Sequence, residues 1–522
     1  MFDLHKWPLF DPDVFAPFGF NLVRNQDLGP GIVLLFMPLT RLAGEVATYN
    51  LLILASFFLT SFGTYLLARE LWTARSGAVL AGIAVGFCEY RVSHAGGHLN
   101  ISSTQWIPFC FLFLERTMRR KRRLDGALAG LFFALSALTT WYYGLLLAIA
   151  VALYMSVRIE WWQERSSLRP LLSPALVGAI IASLLIAPFA FLYFREHATG
   201  LVEARPLQES QAFSASLADF LIPGTEHSFF GPSVTKGWRS GSNGKWLSEW
   251  QVYLGFVPLA LAGVGAISYR KRRVAPLLVM AGGSLLLALG PTLYLTHPSS
   301  IPGNPNQLPL SRFSLPVKVL AQAPPFTFLR SWARMGFFVQ FAVALLAAAG
   351  LVTILDHLSK RQHWVRLRAP VVTLVLILAI LDTLAVPFEM TRVAPRPVDT
   401  WLSDQPGKFT VMEYPVPNHA LSGPAIYAGR FTGKRIVMGS GSYPPNLPFF
   451  DTLSRFPESQ TLALLRKWNV KYILVDEALY SAGDEFFGVR QTWKSLQPAI
   501  ARSILLREVT VRNKVHVYEL LA

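Results

Sequence analysis

Long apolar runs, separated by short polar loops, dominate the sequence from Val46 to Phe388. A transmembrane helix needs about 20 mostly apolar residues, and this criterion predicts about ten spans. The predicted spans are Val46–Ala68, Ser76–Val92, Ile101–Met118, Leu124–Thr140, Trp141–Val157, Leu171–Phe194, Val252–Ser268, Val274–Leu295, Met335–Asp356 and Val371–Phe388. The pattern therefore predicts an α-helical polytopic membrane protein.

Polar segments flank and interrupt these spans. Residues 1–45 are polar and aromatic apart from Gly31–Leu42, which is too short to cross a bilayer and is expected to lie in the interface. Residues 46–390 form the multi-span domain, and two long polar insertions within it cover residues 195–251 and 296–334. Loops of this length usually carry function, so both insertions are candidate parts of a site.

Residues 394–522 have the composition of a small soluble domain, of α/β or α+β type. Runs rich in β-branched and aromatic residues predict strands, and stretches with a helical period predict helices. The predicted elements are strands at Phe409–Tyr414 and Tyr472–Asp476, helices at Ser459–Trp468 and Gln491–Ala501, and a terminal strand or hairpin at Val511–Leu520.

The formal net charge of +17 is concentrated in short loops between the predicted spans. Cytoplasmic loops of membrane proteins carry an excess of Lys and Arg, so these loops set the orientation, and nucleic acid is not an expected partner. With the spans taken in order, all of the basic loops fall on one face; they are Arg116–Arg123, Arg158–Arg169, Arg270–Arg273 and Lys360–Arg368. The two insertions and the C-terminal domain are then expected outside the cytoplasm.

The segment Thr139–Gly144 interrupts what would otherwise be one long apolar stretch. A tight external hairpin and a broken helix both fit this interruption, and basic residues on both flanks favour the hairpin. Trp141, Tyr142 and Tyr143 are then expected in an aromatic belt at the membrane interface. Stacking of Tyr143 against a sugar is the alternative.

The turn Phe87–Trp106 concentrates polar residues between two apolar runs, including Glu89, Arg91, His94 and His98. Ionisable groups at membrane depth are costly and tend to mark functional sites. The alternative is that Glu89 and Arg91 pair with each other at the membrane boundary. The two histidines are four residues apart, but glycines lie between them and two ligands do not make a metal site, so no metal site is predicted.

Arg330 and Arg334 lie four residues apart just before the span that starts at Met335, so they are expected to share one helical face. Two guanidinium groups near a helix N-terminus suit a phosphate, because fork geometry and free backbone N–H groups both match its oxygens. Contact with lipid headgroups is the alternative. The positive-inside rule gives no reason for an arginine pair on the external face, which favours a functional role.

Carboxylates on the external side are candidate general bases, since transfer of a sugar requires removal of a proton from the acceptor hydroxyl. Asp13 and Asp27 are in the expected compartment, and Glu249 lies in the first long insertion. Aspartate before proline or in a turn is also ordinary loop chemistry, so each residue has a structural alternative.

Several stretches resemble one bacterial branch of membrane proteins, the GT-C-type, YfhO-like relatives of lipid-linked-sugar glycosyltransferases. The similarity extends from Trp7 to about Gly350 and is weaker in the C-terminal domain. The stretches that carry it are PFGFNL, ATYNLLILASFFLTSFGTYLLAREL, FCEYRVSHAGGHLNISSTQWIPF, TTWYYG, DFLIPGTEHSFFG, YLGFVPLALAG, LALGP, PPFTFLRSWARMGFF and WNVKYILVDE.

This resemblance implies a polyprenyl-phosphate-linked sugar as donor, a catalytic carboxylate in the first external loop, and phosphate binding by Arg330 and Arg334. It leaves room for a divalent cation but fixes no cofactor, and it implies a location in the bacterial inner membrane. The branch also begins with a further transmembrane helix followed by Gly–Asp. That pattern is not found before Met1 and Phe2, so a missing first span is expected.

The sequence thus predicts a membrane glycosyltransferase that moves a sugar to an envelope acceptor on the outer face of the membrane. Asp13 and Asp27 are the predicted catalytic residues. The predicted substrate-binding residues are Arg330, Arg334, Arg91, His94, His98, Tyr143 and Glu249. The alternatives are a transporter or flippase for a lipid-linked precursor, which would show pseudo-symmetric halves, and a non-catalytic scaffold derived from a truncated enzyme.

Overall fold

The computed structural model describes residues 10–21, 23, 29–158, 165–198, 205–231, 233, 248–268, 271–297, 308–360, 362–388, 390–416, 419–438, 449–481 and 491–521. The chain divides into two compact units. The helical unit comprises Gly29–Phe191 and Ala204–Met390, and the sheet unit comprises Met1–Leu28, Leu192–Glu203 and Thr391–Ala522.

Helices of very different length build the helical unit. They are α1 (Pro30–Ala43), α2 (Glu45–Trp72), α3 (Arg75–Gly86), α4 (Glu89–Ala95), α5 (Leu99–Ser102), α6 (Trp106–Arg120), α7 (Arg123–Thr139), α8 (Trp141–Arg158), α9 (Arg165–His197), α10 (Leu207–Ala212), α11 (Phe256–Ser268), α12 (Lys271–Ala288), α13 (Val317–Leu320), α14 (Gly336–Ser359) and α15 (Arg368–Leu381). Helix α9 ends beyond the helical unit, in the segment that belongs to the sheet unit.

Helix α14 is the buried centre of the helical unit, since nearly every side chain from Gly336 to Val352 is buried. Helix α11 packs so closely against α14 that the two backbones are in contact. A Cβ atom on Gly350 would overlap the carbonyl oxygen of Leu261, and one on Gly265 would overlap that of Leu346. Small residues at such crossings allow apolar helices to gain close van der Waals contact, which is the main source of helix association in a membrane.

Among the described residues, five helical segments are long and apolar enough to cross a membrane. They are Glu45–Trp72, Trp141–Arg158, Arg169–Glu196, Trp332–Ser359 and Trp364–Leu381. The helices Pro30–Ala43, Phe256–Ser268 and Arg273–Ala288 are apolar but shorter. A helical membrane protein is thus confirmed, while the number of about ten spans stays a prediction.

The sheet unit contains a small mixed sheet of the strands β3 (Thr410–Tyr414), β4 (Arg435–Ile436), β5 (Val470–Asp476), β6 (Leu506–Arg512) and β7 (Val515–Leu520). Their order is β4-β3-β5-β7-β6. Strand β3 pairs in parallel with β4 and β5, whereas β7 is antiparallel to both β5 and β6.

Short helices cover this sheet, and a two-residue ladder precedes it in sequence. The helices are α16 (Pro397–Asp404), α17 (His419–Thr432), α18 (Phe449–Ser454), α19 (Ser459–Lys467), α20 (Glu477–Ser481) and α21 (Trp493–Ala501). Strands β1 (Phe10–Asp11) and β2 (Phe20–Asn21) form the ladder, and Val14 between them bridges to Ile436 of β4.

The elements predicted for the C-terminal domain are confirmed to within a few residues, and the terminal segment is a hairpin of β6 and β7. The chain turns back at Thr139–Gly144, because α7 ends at Thr139, α8 begins at Trp141, and a Cβ atom on Gly144 would lie 3.1 Å from that of Ala137. The external location of this hairpin stays a prediction. Periodicity and turn chemistry are local properties, and they were sufficient for these elements.

Candidate functional site

The turn Phe87–Trp106 folds into the short helices α4 and α5, and its Glu89 joins distant segments of the chain. One carboxylate oxygen of Glu89 accepts a hydrogen bond from the backbone N–H of Gly224. The other accepts one from the N–H of Tyr253, over 3.1 Å. Backbone donors suit a carboxylate, because hydrogen bonds to a charged acceptor are the stronger ones. Glu89 therefore fixes the first long insertion against this turn.

Arg91 is completely buried and has a separate set of partners. Its Nε donates to the carbonyl of Ser102 over 3.1 Å, and Nη2 donates to Ser56 Oγ over 2.8 Å. Nη1 donates to the carbonyl of Gly86, and the guanidinium lies 4.2 Å from the centre of the Phe57 ring. The pairing of Glu89 with Arg91 that the sequence left open is thus wrong, and Arg91 ties helices together.

A buried ion pair between Arg334 and Glu249 forms the centre of the candidate site. Arg334 Nε lies 3.0 Å from Glu249 Oε2, and Arg334 Nη2 donates to Oε1, so the pair is bidentate. Ser331 Oγ donates to Oε2 over 2.6 Å. On the other side, His94 Nε2 lies 3.5 Å from Oε2. The 3-10 turn Ser248–Trp250 holds Glu249 in this position.

A hydrogen bond to the backbone shows that Nδ1 of His94 carries a hydrogen. Nδ1 lies 2.7 Å from the carbonyl oxygen of Tyr90, which can only accept, so Nδ1 carries a proton. Nε2 then faces the Glu249 carboxylate, with 3.5 Å between Nε2 and Oε2. We call Glu249, Arg334, His94 and Ser331 the buried polar cluster.

Burial by itself would raise the pKa of the Glu249 carboxyl, but its neighbours reverse the direction. The Arg334 guanidinium and the His94 imidazole hold the pKa of Glu249 well below its ordinary value. Opposite charge within hydrogen-bond distance favours the ionised form, and here it outweighs desolvation. Glu249 is consequently a carboxylate at neutral pH and forms an ion pair with Arg334.

Aromatic side chains enclose this cluster. The Arg334 guanidinium lies 4.1 Å from the centre of the Tyr142 ring. The Tyr143 hydroxyl is 3.3 Å from that of Tyr90 and bonds the carbonyl of Ile101. Tyr142 and Tyr143 are both buried, so the expected aromatic belt at the interface is wrong for these two residues. Their hydroxyls and rings instead shape the interior of the protein.

Arg330 occupies a more open position than Arg334. Its side chain is 33% exposed, against 5% for Arg334. The guanidinium lies 4.6 Å from the centre of the Phe213 ring, and its Nη1 is 3.8 Å from Glu209 Oε1. The same oxygen accepts from Arg205 Nη1 over 3.3 Å. Two guanidinium groups thus share one carboxylate, which leaves a net positive charge.

The expected common helical face of Arg330 and Arg334 is wrong. Arg330 lies in non-helical backbone, a 3-10 turn runs from Trp332 to Met335, and α14 begins only at Gly336. The two side chains also rest on different aromatic rings, Phe213 and Tyr142. Spacing alone could not show this, because residues just before a helix need not adopt its geometry.

The remaining predicted site residues have separate locations. His98 is exposed, and its ring lies 5.6 Å from that of His94. Asp13 belongs to the sheet unit, where Lys408 Nζ is 2.7 Å and Arg435 Nε 3.5 Å from its Oδ1. Asp27 lies outside the described residues. In the part of the chain that the structure describes, no group of three or more metal-ligating side chains could hold an ion.

A second polar group, not predicted from the sequence, centres on Asp382 after α15. Its carboxylate accepts from the Tyr253 hydroxyl and from the N–H of Val257, each over 2.8 Å. His227 Nε2–H donates to the Asp382 carbonyl over 3.2 Å, and its Nδ1 accepts from the N–H of Phe229. Burial lowers the pKa of the His227 imidazole. The hydrogen bond to the Asp382 backbone and the Asp382 charge raise this pKa, but by less than burial lowers it.

Comparison with known proteins assigns the family and the fold. Residues 3–384 match the family model described as Domain of unknown function (DUF6311). None of the curated proteins matches the chain. Among solved structures, the arabinofuranosyltransferase AftD from Mycobacteria is similar, with a TM-score of 0.61, 16% identity, and coverage of 98% of this chain and 36% of that one.

An archaeal enzyme shows the same likeness. The Archaeoglobus fulgidus oligosaccharyltransferase tethered to an acceptor peptide has a TM-score of 0.53 and 13% identity, covering 91% of this chain and 63% of that one. The archaeal oligosaccharyltransferase AglB from the same organism, in complex with an inhibitory peptide and a dolichol-phosphate, has a TM-score of 0.52 and 13% identity. The match covers 92% of this chain and 65% of that one. The chain thus spans less than two thirds of each relative, and the likeness establishes a GT-C-type fold alone.

Proposed function

The chain belongs to the DUF6311 family, whose description names no reaction, and from its fold and site we propose that it is a membrane glycosyltransferase. The donor is a sugar on a polyprenyl phosphate, and the acceptor is an envelope component on the outer face of the membrane. The YfhO-like resemblance agrees with this proposal. The observation that carries it is the pair of cations Arg205 and Arg330, which share the single carboxylate of Glu209.

This cation pair suits the leaving group of the reaction. When an acceptor hydroxyl attacks the anomeric carbon, the bond from that carbon to the phosphate oxygen breaks, and negative charge develops on the departing phosphate. Preorganised cations that face this charge stabilise the transition state. Arg330 is partly exposed and incompletely neutralised, so it is the residue we assign to the phosphate, with Arg205 beside it.

The buried polar cluster has a supporting role in this proposal. Arg334 gives two of its nitrogens to Glu249, and its Nη1 has no hydrogen-bond partner within the described ranges. The Arg334 side chain is buried, and its bidentate pair with Glu249 fixes the segment that leads into α14. Arg330 immediately precedes Ser331 of the cluster, so the cluster positions the phosphate-binding arginine.

A carboxylate must accept the proton of the acceptor hydroxyl, and we retain Asp13 and Asp27 as the proposed bases. Asp13 is salt-bridged to Lys408 within the sheet unit, which keeps a charged carboxylate in a fixed orientation. The choice between the two is open to direct mutation. Replacement of the true base by Asn should lower the rate of sugar transfer by about 100- to 10,000-fold without loss of lipid binding.

Binding of a polyprenyl phosphate to the purified full chain tests the role of Arg330. We expect Arg330→Ala to weaken binding at least about tenfold, because a hydrogen bond to a charged group contributes about 1.5–3 kcal/mol. Arg312→Ala is the matched control, since it removes an exposed arginine from the same insertion. Equal binding by both variants would remove Arg330 from the site.

A transfer assay then distinguishes a glycosyltransferase from a transporter and from a non-catalytic scaffold. Proteoliposomes with radiolabelled polyprenyl-phosphate sugars should release free lipid phosphate and label an acceptor in an envelope extract. Arg330-dependent lipid binding without any release of lipid phosphate would favour a carrier-binding transporter. Neither binding nor release would favour a non-catalytic scaffold.

A further inference from the structure

An apolar cavity of ≈580 Å3 lies between helices α6, α7, α8 and α9. Its volume falls within the range of about 300–1,000 Å3 typical of small-molecule sites. Apolar side chains form nearly all of its walls, and the polar lining groups are the hydroxyls of Thr117 and Ser183 and the thiol of Cys110. Such a lining suits a hydrocarbon chain.

The packing of α7 against α9 creates this space. A Cβ atom on Gly126 would overlap the carbonyl oxygen of Pro174, and one on Gly130 would overlap that of Gly178, so the two backbones touch. Small side chains on either side of the crossing leave room where larger residues would fill it. The alanines that line the cavity are Ala129, Ala175, Ala179 and Ala182.

One end of the cavity coincides with a dense group of cations. Thr117 and Met118 line the cavity at the end of α6, and the next five residues, Arg119–Arg123, are all basic and exposed. From the opposite wall, Ser173 accepts a hydrogen bond from Arg123 Nε over 2.7 Å, and its neighbours Leu172 and Pro174 line the cavity. The basic segment therefore lies at the cavity mouth.

The acidic residues nearby neutralise only part of this charge. Glu70 contacts Arg116, Arg119 and Arg120. For Lys121, Arg122 and Arg123, the described ranges of the chain contain no ion-pair partner. Three exposed cations thus lie at the mouth of an apolar cavity, and the described residues supply no counter-ion for them. Basic clusters of this kind are typical of segments that bind anionic lipids.

We propose that this cavity binds one anionic phospholipid, with an acyl chain in the apolar interior and the phosphate against Lys121, Arg122 and Arg123. Guanidinium groups recognise phosphate oxygens by two parallel hydrogen bonds. The charge pattern alone is also explained by the positive-inside rule. The cavity is the feature that the rule does not require, and it distinguishes a site for one lipid from general attraction to the membrane surface.

Native mass spectrometry of the full chain, extracted from nanodiscs of equimolar phosphatidylglycerol and phosphatidylcholine, tests this proposal. We expect one retained phosphatidylglycerol and little retained phosphatidylcholine. Arg122→Gln/Arg123→Gln should reduce retention about 25-fold, at roughly fivefold per cation. The control Arg366→Gln/Arg368→Gln removes two exposed arginines from another predicted cytoplasmic loop and should retain the lipid.

A second variant tests the cavity separately from the charge. Ala182→Phe places a large ring in the interior and leaves the basic segment unchanged, so it should also release the lipid. Equal retention of the two lipids by the unmodified chain would overturn the proposal. So would equal effects of the two double variants, or normal retention by Ala182→Phe, which would indicate surface attraction only. The site is independent of the proposed glycosyl transfer, because none of these substitutions touches Arg330.

Discussion

The ion pair of Arg334 and Glu249 makes a prediction whose size follows from the structure. Arg334→Met keeps much of the side-chain volume but leaves the buried Glu249 carboxylate without its cation. Removal of one partner from a buried pair typically costs about 3–5 kcal/mol of folding free energy. His94 and Ser331 still contact the carboxylate, at 3.5 Å and 2.6 Å, so we expect a loss near the lower end, about 3 kcal/mol.

A double-mutant cycle measures this loss. Glu249→Gln/Arg334→Met removes both charges, and Gln retains an acceptor for Ser331. Replacement of both members of a buried pair is often neutral, so the double variant should recover much of the stability lost in Arg334→Met. The assay is denaturant unfolding of all four proteins in one detergent. If the Arg334→Met loss stays below about 1 kcal/mol, or if the two single losses simply add, the reasoning is refuted.

The contribution of Glu249 to folding stability has a defined pH dependence. The folded pKa of Glu249 lies well below its unfolded value of about 4.3. Its stabilisation is therefore complete above that unfolded value and is lost as the pH falls through the folded pKa. The stability difference between the unmodified chain and Glu249→Gln should be constant from neutral pH down to about 5 and should shrink only in stronger acid. A difference that shrinks around pH 7 would contradict this assignment.

Four further outcomes are expected. Gly350→Ala should destabilise the protein by more than about 1 kcal/mol in detergent unfolding, because its Cβ would overlap a backbone carbonyl of α11. Gly263→Ala meets open space and should be neutral or stabilising by up to about 1 kcal/mol. For His227 the folded pKa is lowered, so stability should fall as the pH drops below about 6.5 in the unmodified chain and less so in His227→Gln. Tyr143→Phe loses its bond to the Ile101 carbonyl and should cost about 0.5–1.5 kcal/mol in the same unfolding assay.

The contrast between the two arginines alters how a binding experiment is interpreted. From the sequence, Arg330 and Arg334 are equivalent candidates for binding the phosphate. In the structure, Arg334 is a buried partner of Glu249, so its loss should reduce stability as well as binding. Arg330 is partly exposed, and its substitution should affect binding alone.

The sequence indicates candidate site residues one by one but not their arrangement. His94 was a candidate for its polarity between apolar runs, Arg334 for its position before a span, and Glu249 as an external carboxylate. The structure brings these three residues into one cluster. The sequence did not identify Ser331 or Glu209. Ser331 bonds Glu249, which lies 82 residues away in the chain, and Glu209 contacts Arg330, which is also distant in sequence. Neither residue has a distinctive local pattern, because serine and glutamate are common in loops.

The sequence by itself determined the apolar helices and, in the sheet unit, the strands β3 and β5 and the terminal hairpin of β6 and β7. A bilayer requires long apolar runs with internally bonded backbone, and strands have a period of two, so both are visible in short windows. Tertiary structure alone decided that Glu89 would bind backbone N–H groups near Gly224 and Tyr253, that Tyr143 would be buried, and that Arg334 would pair with Glu249. The physical reason is that hydrogen bonds and ion pairs depend on distances of about 3 Å between residues that are far apart in the chain, and no local pattern encodes those distances.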